Sequence, residues 1–239
     1  MIRYIDHKLM GRGKSDWLDS RFHFSFAEYC NKDNVNFGAL RVLNDDRVKE
    51  GEGFGIHPHK NMEIISYVIC GELTHGDTLG NRQTLKRGDV QYMSAGTGVA
   101  HSEMNLGEST LRFLQIWIIP DKQGYQPNYG DYRFDFEERR DRWLAIATCV
   151  DNAKSAAPIK IHQDINLYAT LVSAGKSIDF EVAIGRQAYL VLIEGDALVK
   201  TKYGEITLRG GDAAEIIDES ITIEAQSEAH TLLIEMKKP

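Results

Sequence analysis

The sequence predicts an all-β protein made of two tandem β-barrel domains, and three observations predict it. Most of the chain has period-two texture, in short apolar runs closed by Gly, Asn, Asp or Pro. Long helical periodicity is scarce. A stretch of the first half also returns in the second with its glycines in matching places, which is how a supersecondary unit used twice appears in a sequence.

In chain order, FGALRVL (37–43), EIISYVIC (63–70), DVQYMSAG (89–96) and TLRFLQIWII (110–119) read as strands of the first barrel. FDFEERRDRW (134–143) is the best helical candidate, in a linker near 120–155, and its charge run reads as a solvated face. Beyond residue 160 the strand texture resumes in YATLVSAG, AYLVLIEGDALV, GEITLRGGDAAEII and HTLLIEM. The domains are therefore placed at 1–135 and 136–239.

The repeat lays YVICGELTHGDTLGNRQTLKRGDV (67–90) on YLVLIEGDALVKTKYGEITLRGGDA (189–213), with one gap. Gly71 then meets Gly195, and Gly88-Asp89 meets Gly211-Asp212. Extending the same offset puts His57 near Glu181, His59 near Ala183, Glu63 near Gln187, His101 near Glu224 and Glu103 near Gln226. No histidine survives the mapping. A fold that the second half builds without these side chains does not need them for packing in the first.

Composition narrows the function classes. The formal charge is −7, from 35 acidic and 28 basic residues, and no stretch concentrates Lys and Arg enough to offset phosphate repulsion, so no direct nucleic-acid binding is expected. There is no secretory-type amino terminus and no run of eighteen apolar residues, so the expectation is a cytoplasmic protein without membrane contact. Cys30, Cys70 and Cys149 are far apart and form no CxxC pair, which speaks against a disulfide framework and a thiolate zinc site.

Two polar knots carry the chemistry, GEGFGIHPHKNME (51–63) and GTGVAHSEMN (96–105). On a strand, residues two apart share a face, so His57 and His59 point together, with backbones roughly 6.5–7 Å apart. Pro58 between them donates no ladder bond, which suits a strand edge. His101 and Glu103 repeat the spacing. If the two strands are neighbours, three nitrogens and one carboxylate face a common point. Such a set without thiolate suits one divalent ion, Fe(II), Mn(II), Co(II), Ni(II), Cu(II) or Zn(II), whereas calcium and magnesium want more oxygens. Redox-active Fe(II) is the first expectation, because open positions there would bring a chelating substrate next to dioxygen. Glu63 shares strand parity with the histidine pair and reads either as a ligand or as a support.

These residues carry a resemblance. Gly51, five residues, His57-x-His59, three residues, Glu63 and then Gly71 resemble the first cupin motif, with one residue more than usual before that glycine. Gly88, Ser94, Gly96, His101 and Asn105 resemble the second, with Ser94 where many cupins have proline and two extra residues before the histidine. The strings WLDSRFHFSFAEYC, FGALRVLNDD, GFGIHPHKNMEIISYVICGEL, MSAGTGVAHSEMN, LQIWIIP and IHQDINLY together resemble the pirin family and span both halves. The resemblance implies a bicupin of two jelly-roll-like barrels. It implies iron in the amino-terminal barrel, held by His57, His59, His101 and Glu103, with Glu63 outside that shell. Some bacterial members resemble quercetin 2,3-dioxygenases, which open a flavonol and release carbon monoxide; eukaryotic members are associated with transcriptional coregulation.

The expected function is thus a metal-dependent dioxygenase acting on a small planar aromatic substrate and dioxygen, with Glu103 as ligand, general base or both. The alternative is a non-catalytic, iron-dependent redox sensor acting through a protein partner. An isomerase or sugar-binding cupin would want a cationic clamp, for which only Lys60, Arg82 and Arg112 offer themselves. Phe54, Met93, Phe113 and Trp117 read as barrel core or as walls of a planar pocket. His23 reads as a hydrogen-bonded strand residue and His75 as a solvated hairpin residue, while His7, His162 and His230 lack a partner at ligand spacing. The expected state is a monomer.

Overall fold

The computed structural model describes all 239 residues, in 22 β-strands and two short 3₁₀ turns. No helix is long and apolar enough to cross a membrane. FDFEERRDRW, read as the best helical candidate, forms only the turn Phe136–Arg139. Its charge run is not a solvated face throughout: Arg139 is fully buried, with its guanidinium 4.6 Å from the centre of the Phe136 ring.

The chain divides into two compact units. One holds residues 10–135 with 161–163, the other residues 136–160 and 164–239 together with 1–9. Residues 1–9, counted from the sequence with the first domain, lie in the second unit because Ile2–Ile5 pairs antiparallel with Ala213–Ile217, Ile2 opposite Ile216 and Ile5 opposite Ala213. This pairing extends the second unit's large sheet by one strand, and four residues carry too little pattern to announce it.

The first unit is a sandwich of two antiparallel sheets, the layered solution for strands with one apolar face. Its seven-stranded sheet runs Asn128–Tyr132, Val90–Ser94, Glu63–Cys70, Leu111–Ile118, Leu40–Val48, Leu18–Phe22, Gly11–Lys14. Its four-stranded sheet runs Gly53–His59, Val99–Met104, Leu73–Asp77, Arg82–Leu85. The second unit repeats the plan with seven and four strands, the smaller sheet being Ser177–Phe180, Ile221–Ala225, Asp196–Thr201, Gly204–Arg209. Both halves thus adopt the all-β, two-barrel bicupin architecture that the sequence implied.

The internal repeat is visible bond by bond. In the first unit Gly88 N donates to Val68 O at 2.9 Å, Val68 N to Asp89 O at 3.1 Å, and Lys86 N to the Asp89 carboxylate at 2.8 Å. In the second unit Gly211 N donates to Leu192 O at 2.7 Å, Leu192 N to Asp212 O at 2.9 Å, and Arg209 N to the Asp212 carboxylate at 2.9 Å. Gly71 and Gly195 both have positive φ, 78° and 89°. At Gly195 a Cβ would sit 2.1 Å from Glu228 O, so the close approach alone requires glycine.

The interiors differ where it matters. The second unit packs Val172, Leu190, Leu192, Val199, Ile216, Ile223 and Leu233 into one apolar core, and its four-stranded sheet carries no histidine. In the first unit, the strand Val99–Met104 buries Val99, His101 and Glu103 and leaves the alternate residues half-buried. That alternation delivers two polar side chains to the inside of the sandwich.

Candidate metal centre

The two histidine-bearing strands, Gly53–His59 and Val99–Met104, are neighbours and antiparallel, with His101 opposite His57 and Val99 opposite His59. A bulge between His101 and Glu103 shifts the register, so Glu103 faces Phe54. The three imidazoles converge: ring centres are 4.5 Å apart for His57 and His101, and 4.8 Å for each of the other two pairs. One ligand nitrogen from each lies within 4.8 Å of the others.

The side chains fit a cation there. His59 Nε2 and His101 Nε2 are buried and have no hydrogen-bond partner, a costly state for a polar atom unless something else occupies its lone pair. His57 Nδ1 lies 2.7 Å from Gly55 O; donation to that carbonyl leaves Nε2 as the free lone pair. Burial, then the neighbouring histidines, lowers the pKa of His59 to about 4 and of His101 to about 3, so both rings are neutral near pH 7, the form that ligates a metal.

Glu103 stands beside this cluster. Its carboxylate accepts from Ser66 Oγ at 2.7 Å and Gln91 Nε2 at 3.3 Å on one oxygen, and from Gln115 Nε2 on the other. Three donors on the opposite sheet fix its orientation. Glu63 is in neither group. Asn61, with φ 51°, ends the histidine strand and starts the next in the other sheet, so parity with His57 and His59 is lost. On the strand Glu63–Cys70, Ser66 faces inward to Glu103, and Glu63, three residues earlier, faces away. Its carboxylate accepts from Tyr92 Oη at 2.7 Å, Ser94 Oγ at 2.6 Å and the His162 backbone N–H at 3.2 Å.

Sequence reasoning missed His75. Read as a solvated hairpin residue, it is fully buried in the strand Leu73–Asp77 and paired opposite Glu103. The turn is shorter than the polar string suggested, because Asp77 captures the N–H groups of Leu79 and Asn81, each at 2.9 Å, and closes it after residue 77. His75 Nε2 lies 3.0 Å from Asp77 Oδ2, and its Nδ1 lies 3.4 Å from His101 Nδ1. A carboxylate only accepts, so the proton sits on His75 Nε2. His75 Nδ1 then accepts from His101 Nδ1–H, which leaves the His101 Nε2 lone pair toward the cluster. Tyr129 stacks on His75 at 4.6 Å and holds the ring in place.

A cavity of about 330 Å³ opens beside the centre, at the lower end of the range of about 300–1,000 Å³ usual for small-molecule sites. His57, Glu103 and Gln115 line it together with Phe22, Phe26, Phe54 and Trp117. Of the four residues read as core or pocket wall, Phe54 and Trp117 line it, while Met93 and Phe113 are fully buried in core clusters. Arg112, a candidate cationic clamp, is bound to Asp45 through two guanidinium nitrogens, at 2.9 and 2.6 Å. His23 is buried outside the cluster, with its pKa lowered by burial to about 4.

Known proteins resemble this chain over its whole length. The family model for Pirin matches residues 6–118, and that for the quercetinase C-terminal cupin domain matches residues 150–236. A pirin-like protein of Caulobacter vibrioides is 38% identical, over 95% of this chain and 95% of its own. The quercetin 2,3-dioxygenase of Escherichia coli K12 is 36% identical, over 95% of this chain and 94% of its own. The crystal structure of bacterial pirin YhhW from Escherichia coli in complex with nickel(II) matches with a TM-score of 0.91 and 34% identity, covering 100% of both chains. With similarity of this degree running through both barrels, the chain belongs to the pirin family.

Proposed function

We propose that the protein is a metal-dependent dioxygenase that opens a flavonol such as quercetin at the 2,3 position, consuming dioxygen and releasing carbon monoxide. The observation that carries this reading is the cluster of three converging histidines, two with unpartnered buried Nε2 atoms, whose member His57 lines an aromatic-walled cavity together with Glu103. The activity named for the Escherichia coli relative supports it.

His57, His59 and His101 would hold one divalent ion, and Glu103, next on the same strand face, would complete the set. The ion supplies Lewis acidity toward the substrate's 3-hydroxyl and a redox partner for dioxygen. Iron is the ion proposed, since nitrogen and oxygen ligands without thiolate suit it; the nickel(II) complex of the Escherichia coli pirin supports binding of a divalent ion.

The chain's own residues do the rest. Glu103, oriented by Ser66, Gln91 and Gln115, takes the 3-hydroxyl proton, which makes the substrate an enolate able to react with dioxygen across the ring. Phe22, Phe26, Phe54 and Trp117 sandwich a planar ring system and keep water from the reacting carbons. The test is Glu103→Gln in protein shown by metal analysis to remain loaded. Turnover should fall by about 10²–10⁴, the usual worth of a positioned base, and undiminished turnover would remove Glu103 from that role.

A further inference from the structure

Four polar side chains lie in register across the interior of the first unit's large sheet. Gln91 is opposite Ser66, Ser66 opposite Gln115, and Gln115 opposite Asn44. All four are buried. The first three converge on Glu103. Asn44 is only 3% exposed, its Oδ1, like Gln91 Oε1, has no hydrogen-bond partner, and unlike Gln91 it lines the cavity beside His57 and Glu103. Two residues on, Asp46 lines the same cavity, buried and accepting from Ser20 Oγ.

A buried amide oxygen with no partner is destabilising to the fold. The same cavity presents Phe22, Phe26, Phe54 and Trp117 as an apolar wall and Ser20, Asp46 and Gln115 as polar neighbours, and none of these groups is bonded to Asn44 Oδ1. The pattern is that of a polar group kept for a ligand, as in sites that hydrogen-bond a substrate hydroxyl and reject the analogue lacking it.

We infer that Asn44, with Asp46 beside it, recognises a phenolic hydroxyl of the substrate remote from its 3-hydroxy edge, and so selects polyhydroxylated flavonols over the bare ring system. This rests on the flavonol reading above. It assigns Glu103 and the histidines to the reacting edge, and Asn44 to choosing which flavonol enters.

The experiment is anaerobic titration of zinc-loaded protein, which binds without turnover, with quercetin and with 3-hydroxyflavone, which lacks every other hydroxyl. Wild type should bind quercetin at least about tenfold more tightly. Asn44→Leu should bring the two affinities within about threefold by weakening quercetin alone, and should leave the thermal midpoint unchanged or raise it, since a buried amide oxygen without a partner has been removed. Asn44→Ala provides a second variant and should lose the same preference. A preserved preference in both variants, or equal weakening of both ligands with a lowered midpoint, would overturn the assignment and leave the proposed activity standing. Binding of neither compound by wild type would overturn the proposed activity and the assignment together.

Discussion

Replacing His75 by Phe probes the centre without touching a proposed ligand. The phenyl ring keeps the stack on Tyr129, 4.6 Å away at 17°, and removes the acceptor 3.4 Å from His101 Nδ1. His101 is fully buried, so its Nδ1–H then has no partner, at a cost of about 1–3 kcal/mol. The ring escapes that cost by moving its proton to Nε2, which closes the lone pair facing His57 and His59. Either route weakens metal binding. The expected loss is about 10- to 100-fold in affinity, or about 1.4–2.8 kcal/mol, as is usual when a group supporting a ligand histidine is removed. Chelator competition with nickel(II) reads the affinity, and nitrogen-15 shifts of the metal-free protein read the tautomer, Nδ1–H in wild type. An affinity within about threefold of wild type, with the tautomer unchanged, would refute the relay from Asp77 through His75 to His101.

Glu63→Gln should bind metal within about threefold of wild type, since Glu63 faces Tyr92, Ser94 and His162 rather than the histidines; loss of the metal in this variant would place Glu63 among the ligands. Burial pushes the Asp46 pKa up to about 7, so the folded state keeps a proton that the unfolded chain releases near its ordinary value of 3.8. This contribution is complete below that value and is lost as pH rises to 7, by about 4 kcal/mol. Asp46→Asn should therefore flatten the fall in urea stability between pH 4 and 8, and identical slopes in the two proteins would contradict the shift. Gly195→Ala should lose at least about 2 kcal/mol of stability, from a left-handed backbone and a Cβ 2.1 Å from Glu228 O, read as a lowered urea midpoint; a neutral outcome would contradict the close approach.

The parts of this protein legible in its sequence are those set by short-range periodicity. Runs such as EIISYVIC and TLRFLQIWII became the strands Glu63–Cys70 and Leu111–Ile118, because period two is a property of the strand itself. The glycine pairs Gly71/Gly195 and Gly88/Gly211 exposed the repeat, because each needs positive φ whatever surrounds it. Histidine spacing likewise revealed the convergence of His57, His59 and His101. What escaped depended on where a strand stops. Asp77 closes a tight turn, so the strand runs on through residue 77 and buries His75, while Asn61 breaks the strand before Glu63 and undoes the parity argument. The row that joins Gln91, Ser66, Gln115 and Asn44 comes from four separate strands. Only the register of the sheet brings it together.

The most direct test of the proposed activity is oxygen uptake on adding quercetin to iron-loaded protein purified without an affinity tag, with carbon monoxide measured in the same vessel. One dioxygen consumed and one carbon monoxide released per flavonol are expected, with both absent in His101→Ala. No uptake by iron-loaded wild type, together with no binding of quercetin, would contradict the dioxygenase reading.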